Sequence, residues 1–362
     1  MKNKYSVNVL NVLTTLSYKG IANAWIAENY HQKIDDNFLT ILEKKRNKEE
    51  CLERPLKDDF EYRKEKIKAE LDELEDFVDG FVAFGDDNFP LILNKNIKEK
   101  SYNLLETNQT NFRKMTAKSS DFPVFLCYKG DFNLLKTKTM NIAVIGLTEP
   151  KEEFQTLEET IVSTMIKHNA VIVSGLALGC DCIAHKSALK NNGATIAVLP
   201  STLKNIIPQQ NRELANEIVA NGGLLISEYH KEVESLLEQT ARYVKRDRLQ
   251  AAFSDMVVLT ASYTKEDTQQ DKKLDSGSRH AIDKAKEYGI KYAVICDQNL
   301  INDEQFHLNK QLIEEVIKQP LNAENTNNFI DFVNKNNKNF KIFTKNNTEK
   351  LTTSFKKFLG AI

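Results

Sequence analysis

AVIVSGLALGCDCIAHKSALKNNGATIAVL, residues 170–199, decides the fold of this chain. An apolar, β-branched run from Ala170 to Val173 predicts a strand. The chain then turns through Ser174-Gly175 and Gly179 and enters a helical segment carrying Asp181, Ala184, His185 and Ala188. After the Asn192-Gly193 breaker a second apolar run, Thr195 to Leu199, predicts another strand. Strand, glycine turn, helix, strand is a βαβ unit. In open α/β sheets ligands bind outside the carboxyl ends of the strands. Helix N-termini at that edge present free N–H groups to anions, phosphate above all.

The same alternation continues on both sides. Asn141 to Gly146 predicts a strand, and a helix from Glu152 to His168 follows it. Downstream come a helix over Asn211–Asn221, a strand over Leu224–Glu228 and a basic helix over Tyr243–Phe253. A strand over Met256–Thr260, a polar loop over Ser262–Ser276, a helix over Arg279–Tyr288 and a strand over Tyr292–Cys296 complete the series. Short apolar strands alternating with helices predict an α/β fold: a Rossmann-like, doubly wound, mostly parallel sheet buried on both faces.

Ahead of it, residues 1–75 read as a small helical domain. Val9, Leu10, Leu13 and Leu16, then Ile21, Trp25 and Ile26, recur at helical spacing around Tyr18-Lys19-Gly20. That outline fits a helix-hairpin-helix or a plain packing domain. The mixed charges from Glu43 to Glu75 predict a solvated helix. Phe77–Phe84 and Pro123–Tyr128 read as strands that open the main domain, placed at 76–299. Residues 300–362 are Asn- and Lys-rich and are expected to be a tail or a small helical appendage.

Lys+Arg number 50 against 51 Asp+Glu, so no global field favours a polyanion and any such site must be a local patch. Five scattered cysteines include Cys180 and Cys182, whose spacing matches neither a zinc knuckle nor a CxxC redox pair. The six histidines form no HxxxH or HExxH cluster, so no metal site is expected. Reduced thiols, no apolar leader and no run near the ~20 apolar residues of a membrane span make a cytoplasmic protein with no membrane contact the expectation.

Three common chemistries lack their motifs. The strand ending at Gly146 runs on as Leu147-Thr148-Glu149-Pro150, not as the G-x-G-x-x-G of a dinucleotide fold. No G-x-x-x-x-G-K-[ST] loop occurs, and Ser174 is in no G-x-S-x-G elbow. No cofactor is expected. What the sequence does hold is a set of Gly/Ser loops at strand ends: Gly146, Ser174-Gly175 with Gly179, Gly222-Gly223, and Ser276-Gly277-Ser278. Such turns free backbone N–H groups for an anion. Arg246, Arg248 and Arg279 add charge near the same edge, which suits a nucleotide or a single-stranded backbone. Asp181 and His185 lie four apart on one helix face. With no nucleophile beside them, they are expected to brace the loop structurally and not to act as an acid/base pair.

Several segments are more particular than these classes. SGLALGCDCIAHKSAL (174–189), GATIAVLP (193–200), IPQQN (207–211) and GGLLISEY (222–229) resemble the DprA/Smf family of DNA-processing proteins. YVKRDRLQAAFSD (243–255) is similar to that family's F-P-x-R-N-R-I-I-A-G-L-S segment, and Ser276-Gly277-Ser278 to its S-G-S loop. The upstream runs DDNFP (86–90) and FPVFLCYKGD (122–131) fit the extension before the first Rossmann strand. The resemblance implies an extended Rossmann fold that binds single-stranded DNA without catalysis. It further implies a homodimer that loads a RecA-type recombinase onto incoming strands in natural transformation. By similarity the phosphate contacts fall on the loop after Gly146, on Ser174-Gly175, on the 204–211 loop with Lys204 and Asn211, and on Arg246 and Arg248. The chain departs from the pattern: Gly146-Leu147-Thr148 lacks the family's loop arginine, Gln209 replaces a basic residue, and Asp247 replaces the central asparagine of R-N-R. Weaker or differently placed strand binding follows, with Lys204, Arg212, Lys245 and Arg279 as candidate compensating charges. The alternative reading is a Rossmann sensor of a nucleotide or nucleotide derivative.

Overall fold

The computed structural model describes residues 4–30, 33–45, 55–94, 113–136, 139–271 and 277–359. Four helices come first: α1 (Val7–Leu16), α2 (Asn23–Asn29), α3 (Asp36–Lys45) and α4 (Leu56–Asp72). The Ser6 hydroxyl caps α1 by accepting from Val9 N, and Val9 to Thr15 are buried. Strands β1 (Gly80–Ala83), β2 (Leu91–Asn94), β3 (Arg113–Thr116) and β4 (Phe125–Gly130) follow; β2 and β3 form a separate parallel pair.

The α/β series then runs β5 (Met140–Ile145), α5 (Glu152–Lys167), β6 (Ala170–Ser174), α6 (Cys180–Lys190), β7 (Thr195–Leu199) and α7 (Arg212–Ala220). It continues with β8 (Leu224–Ser227), α8 (Leu236–Ala252), β9 (Met256–Leu259), α9 (Lys265–Gln270), α10 (Arg279–Tyr288) and β10 (Lys291–Ile295). Last come α11 (His307–Ile317), α12 (Thr326–Asn336), β11 (Phe340–Phe343) and α13 (Thr348–Leu359).

The main sheet has the order β1-β4-β8-β7-β6-β5-β9-β10-β11. Its seven strands from β8 to β11 are parallel, while β4 joins β8 and β1 in antiparallel register. Alternation along the strands explains the double winding. Met140, Ile142 and Val144 of β5 join the apolar cluster that contains α5 side chains such as Phe154 and Ile161. Ala143 and Ile145 join the opposite cluster with Leu249 of α8 and Ile282 of α10. Strands buried on both faces are apolar at most positions, which is why they were visible as nearly continuous runs. The chain passes outward from β5 to β6, β7 and β8 on one side and from β9 to β10 and β11 on the other. The order therefore reverses between β5 and β9, the topological switch point where open α/β sheets bind ligands.

The elements differ from the sequence expectations in four places. The Asn- and Lys-rich stretch after residue 300 is no loose tail: β11 pairs in parallel with β10 and buries Phe340, Ile342 and Phe343. A four-residue strand among asparagines offers too short an apolar run to stand out. Helix α8 starts seven residues earlier than its basic, amphipathic part, capped by Ser235, which accepts from Glu238 N. Its first residues, Leu236 and Leu237, are about 80% exposed and so break the helical hydrophobic period. Within the expected polar loop, the Thr264/Asp267 capping box starts α9, a helix with no apolar face to announce it. Finally, the strand expected from Phe77 begins at Gly80, because Glu75–Phe77 close a 3-10 turn.

The helical region and the sheet share one apolar core, which runs from Tyr5 and Leu13 through Phe81 and Phe125 to Leu225. Phe81 N donates to Lys4 O at 3.1 Å, and Asn8 Nδ2 donates to Phe84 O at 3.0 Å. No helix among the described residues is long and apolar enough to cross a membrane.

Candidate nucleic-acid interface

A cleft of about 360 Å³ opens at the switch point. The end of β5 contributes Gly146 and Thr148, and the loop after β6 contributes Ala177 and Asp181. Helix α8 forms one wall with Thr240, Tyr243, Arg246, Asp247 and Gln250, and Gly277 with Ser278 closes the side towards α10. Tyr243, Arg246, Asp247 and Gln250 follow i, i+3, i+4, i+7 spacing, so one helix face supplies them all.

Arg246 is the centre of this wall and is buried. Its Nη1 donates to Asp181 Oδ2 at 3.3 Å, and its Nε lies 3.5 Å from Asp247 Oδ1. The Gln250 amide oxygen, in the orientation that satisfies its neighbours, accepts from Arg246 Nη1 at 2.7 Å and from Gly175 N at 2.8 Å. Gly175 is required here: a Cβ on it would lie 1.0 Å from Arg246 Nη1. Gly179 is required for another reason. Its φ of +69° and a Cβ position 2.3 Å from Leu147 O exclude a side chain where the chain enters α6.

Asp181 spends one carboxylate oxygen on the loop after β6 and on Arg246. Its Oδ2 accepts from Gly175 N (3.1 Å), Ala177 N (3.3 Å) and Arg246. Asn211 adds a second brace by donating through Nδ2 to Leu176 O (2.9 Å) and Ala177 O (3.1 Å). These bonds hold Leu176 at a φ of +60°, a conformation uncommon for a side chain of its kind.

His185 does not bond Asp181. It is fully buried, and its Nδ1 lies 2.7 Å from Thr195 Oγ1. That hydroxyl already donates to Ile172 O, so Nδ1–H is the donor and Nε2 keeps a buried, unpartnered lone pair. Burial, with Arg246 nearby, pushes the imidazole down to about 3 and holds it neutral. His185 therefore ties α6 to the sheet, not to the loop.

The other expected site residues fall in different places. Ser174 Oγ donates to Val144 O at 2.7 Å, a buried tie between β6 and β5. Arg248 turns away from the cleft and makes a bidentate pair with Glu228, both contacts at 2.6 Å. It also donates to Asp121 O and Lys245 O at 2.7 Å, so its guanidinium knits α8 to the loop at 121 and the end of β8. Lys204 lies 4.0 Å from Glu73 and faces the Phe77 ring, at the junction with the helical region. Ser278 donates to Ser262 Oγ at 2.8 Å and Arg279 follows as the first residue of α10, with its Nε buried and unpartnered. Ser276 lies outside the described residues.

Sequence reasoning missed Tyr243 and Gln250. The signal was their helical spacing from Arg246, masked because an aromatic and an amide carry no chemical motif. It also missed Glu158, which is fully buried beside Cys180 and Thr260 beneath the end of β5. Burial raises its carboxyl to about 8, and burial together with Glu158 raises the Cys180 thiol well above its ordinary range.

A mostly parallel sheet wound on both sides of a switch point, with an arginine-centred cleft there, defines a Rossmann-like α/β protein. A model of the family described as DNA recombination-mediator protein A matches residues 103–331, more than half of the chain. The chain belongs to that family. The DNA processing protein DprA of Streptococcus pneumoniae is 33% identical over 170 residues, 47% of this chain and 54% of that protein. The chain spans about half the length of the curated relatives it matches. The X-ray structure of the S. pneumoniae protein aligns over 97% of this chain and 98% of its own, with a TM-score of 0.60 at 21% identity, a likeness of fold. A structure of DNA processing protein A from Helicobacter pylori, described by its single-stranded DNA binding mode, is 31% identical. It covers 59% of this chain and 88% of that one at a TM-score of 0.45.

Proposed function

We propose that this protein binds single-stranded DNA at the switch-point cleft and acts as a non-catalytic recombination mediator. The observation that carries the reading is the cleft itself, which sits where open α/β sheets take ligands and is walled by Arg246 and Tyr243 of one helix face. The family description supports a role in recombination. The exposed Lys186 on α6 lines a neighbouring pocket that shares Thr148 with the cleft, and is assigned here to a strand phosphate.

The non-catalytic reading is supported by where the titratable groups spend their polar atoms. Asp181 is occupied with two backbone amides and Arg246, and His185 is sealed under the sheet. Delivery of a RecA-type recombinase and action as a homodimer belong to the same proposal and rest on family membership. The cleft also has the size of a single-nucleotide site, which keeps a nucleotide sensor as the second reading.

The test is a mobility-shift titration of a labelled, mixed-sequence single strand and its duplex across a salt series. Preferential binding of the single strand, weakened by Arg246→Ala, is expected. No shift at the lowest salt would refute strand binding. A thermal shift given by mononucleotides, and not by any oligonucleotide, would favour the sensor.

A further inference from the structure

Gly146 is held at the β5 side of the cleft through its two neighbours. Ile145 O accepts from Thr260 N at 2.8 Å, and Leu147 O accepts from Cys180 N at 2.9 Å. The same two residues pack on the glycine itself: a Cβ on Gly146 would lie 2.5 Å from Cys180 Sγ and 3.2 Å from Thr260 Cβ. Thr260 and Cys180 thus fix the end of β5 and the start of α6, the two places from which Gly146 and Asp181 face the cleft.

Glu158 touches both of these fixing residues. It reaches them from α5, which packs on the sheet face opposite α8, with its carboxyl set against the Cys180 thiol and the Thr260 hydroxyl and fully out of solvent. The charges that bear on it are acidic, Asp181 of α6 and Glu159 of its own helix, and the thiols of Cys180 and Cys182 face it as well. Strands β5 and β6 and helix α13 contribute apolar residues to this side, Ile142, Val144, Ile172 and Leu351. Burial, with the two acids, holds the carboxyl up at about 8, so it carries its proton at neutral pH. Losing that proton puts a negative charge in a buried, acidic surround directly behind the residues that shape the cleft. The charge repels an anionic strand through a low-dielectric interior, and hydrating it means parting the start of α6 from the end of β5.

We infer that Glu158 is a proton-linked positioning residue: the cleft takes an anionic strand with Glu158 protonated, and ionisation of Glu158 and strand binding oppose one another. Linkage makes the effect reciprocal, so a bound strand keeps the proton on Glu158 to higher pH. Around and above the window near pH 8 the strand-bound protein then carries more protons than the free protein, so affinity is level below that window and falls as pH rises through it. The inference rests on the strand-binding reading above and adds a regulation of that same site.

The test is fluorescence anisotropy with a labelled strand of adenine and cytosine, bases that do not titrate in this range, from about pH 6 to about pH 9 at constant ionic strength. Circular dichroism at each pH confirms that the protein is folded. Wild-type affinity is expected to be about tenfold weaker at the upper limit than at neutral pH, the loss set by one proton about one pH unit above its ionisation. Glu158→Gln keeps the shape of the protonated acid, and its affinity should stay level across the range. Calorimetry of the wild type near pH 8 in two buffers of different ionisation enthalpy should show uptake of about half a proton per strand bound, a readout that needs no variant. Level wild-type affinity with no proton uptake overturns the inference and leaves strand binding standing, as does a fall in affinity that persists in Glu158→Gln. Binding at no pH, even at the lowest salt, overturns both.

Discussion

Arg246 and Asp181 are 65 positions apart, yet their side chains meet 3.3 Å from each other directly over Gly175. One contact thereby joins α8 to the loop between β6 and α6 and sets the floor of the cleft. Both side chains are more than nine-tenths buried, so each is the other's compensation for lost water.

Gly175→Ala tests this arrangement without removing any charge. The new methyl would occupy the position of Arg246 Nη1, and Arg246 can move aside only by leaving Asp181 and Gln250. A destabilisation of about 1–3 kcal/mol is expected in urea unfolding, together with loss of oligonucleotide binding. Wild-type affinity in this variant would show that the site lies elsewhere.

Arg246 and Arg248 should separate cleanly. Arg248→Ala leaves Glu228 buried without its bidentate partner and is expected to cost about 3–5 kcal/mol of stability, while the folded fraction still binds DNA. Arg246→Ala should weaken binding. Because Arg246 is spent on two carboxylates, Arg246→Lys should weaken binding without reducing the salt slope by the ~0.7 expected for a lost phosphate contact. Equilibrium unfolding and a salt series on each variant distinguish these outcomes.

That division shows what was legible in the sequence. The strands were, because double-sided burial writes continuous apolar runs at Ile142–Ile145, Val171–Val173 and Ile196–Leu199. The loops were, because Gly175 and Gly179 answer to close approach and positive φ, which leave a glycine in the text. The direction of a long side chain was not. Arg246 and Arg248 stand two residues apart on α8, so they point to different sides of the helix, and only the position of Glu228 decides that Arg248 is structural. Strand β11 was hidden for a different reason: its apolar run is only Phe340, Ile342 and Phe343, set among asparagines and lysines.

The C-terminal segment should accordingly be needed for folding. Deleting residues 338–362 removes β11 and α13, uncovering the edge of β10 and the apolar surface under Phe340 and Phe343. A large fall in melting temperature or aggregation is expected, as from any newly exposed strand edge. An unchanged melting curve would contradict the assignment of β11 to the sheet.

Two buried groups set the pH dependence of stability in opposite directions. Glu158 is raised from 4.5 to about 8 by burial, so the folded state keeps a proton that the unfolded chain releases. Stability therefore declines as pH rises through that window, and Glu158→Gln should flatten the decline. His185 is lowered from 6.5 to about 3, so the unfolded chain takes up a proton the folded one refuses. Its contribution is present above pH 6.5 and is lost as pH falls towards 3; His185→Asn should reduce that acid sensitivity. Urea midpoints measured from pH 4 to pH 9, a range set by these two windows, check both slopes.

The most direct measurement of the central claim is a map of where a single strand touches the chain. A strand substituted with 5-iododeoxycytidine, irradiated in complex with the protein and analysed by peptide mass spectrometry, reports contacts at the base. Adducts on Tyr243 and its neighbours on α8 are predicted, and they should vanish in Arg246→Ala. Adducts confined to surfaces away from α8 and the Gly175 loop, at full binding, would contradict the switch-point cleft as the binding site.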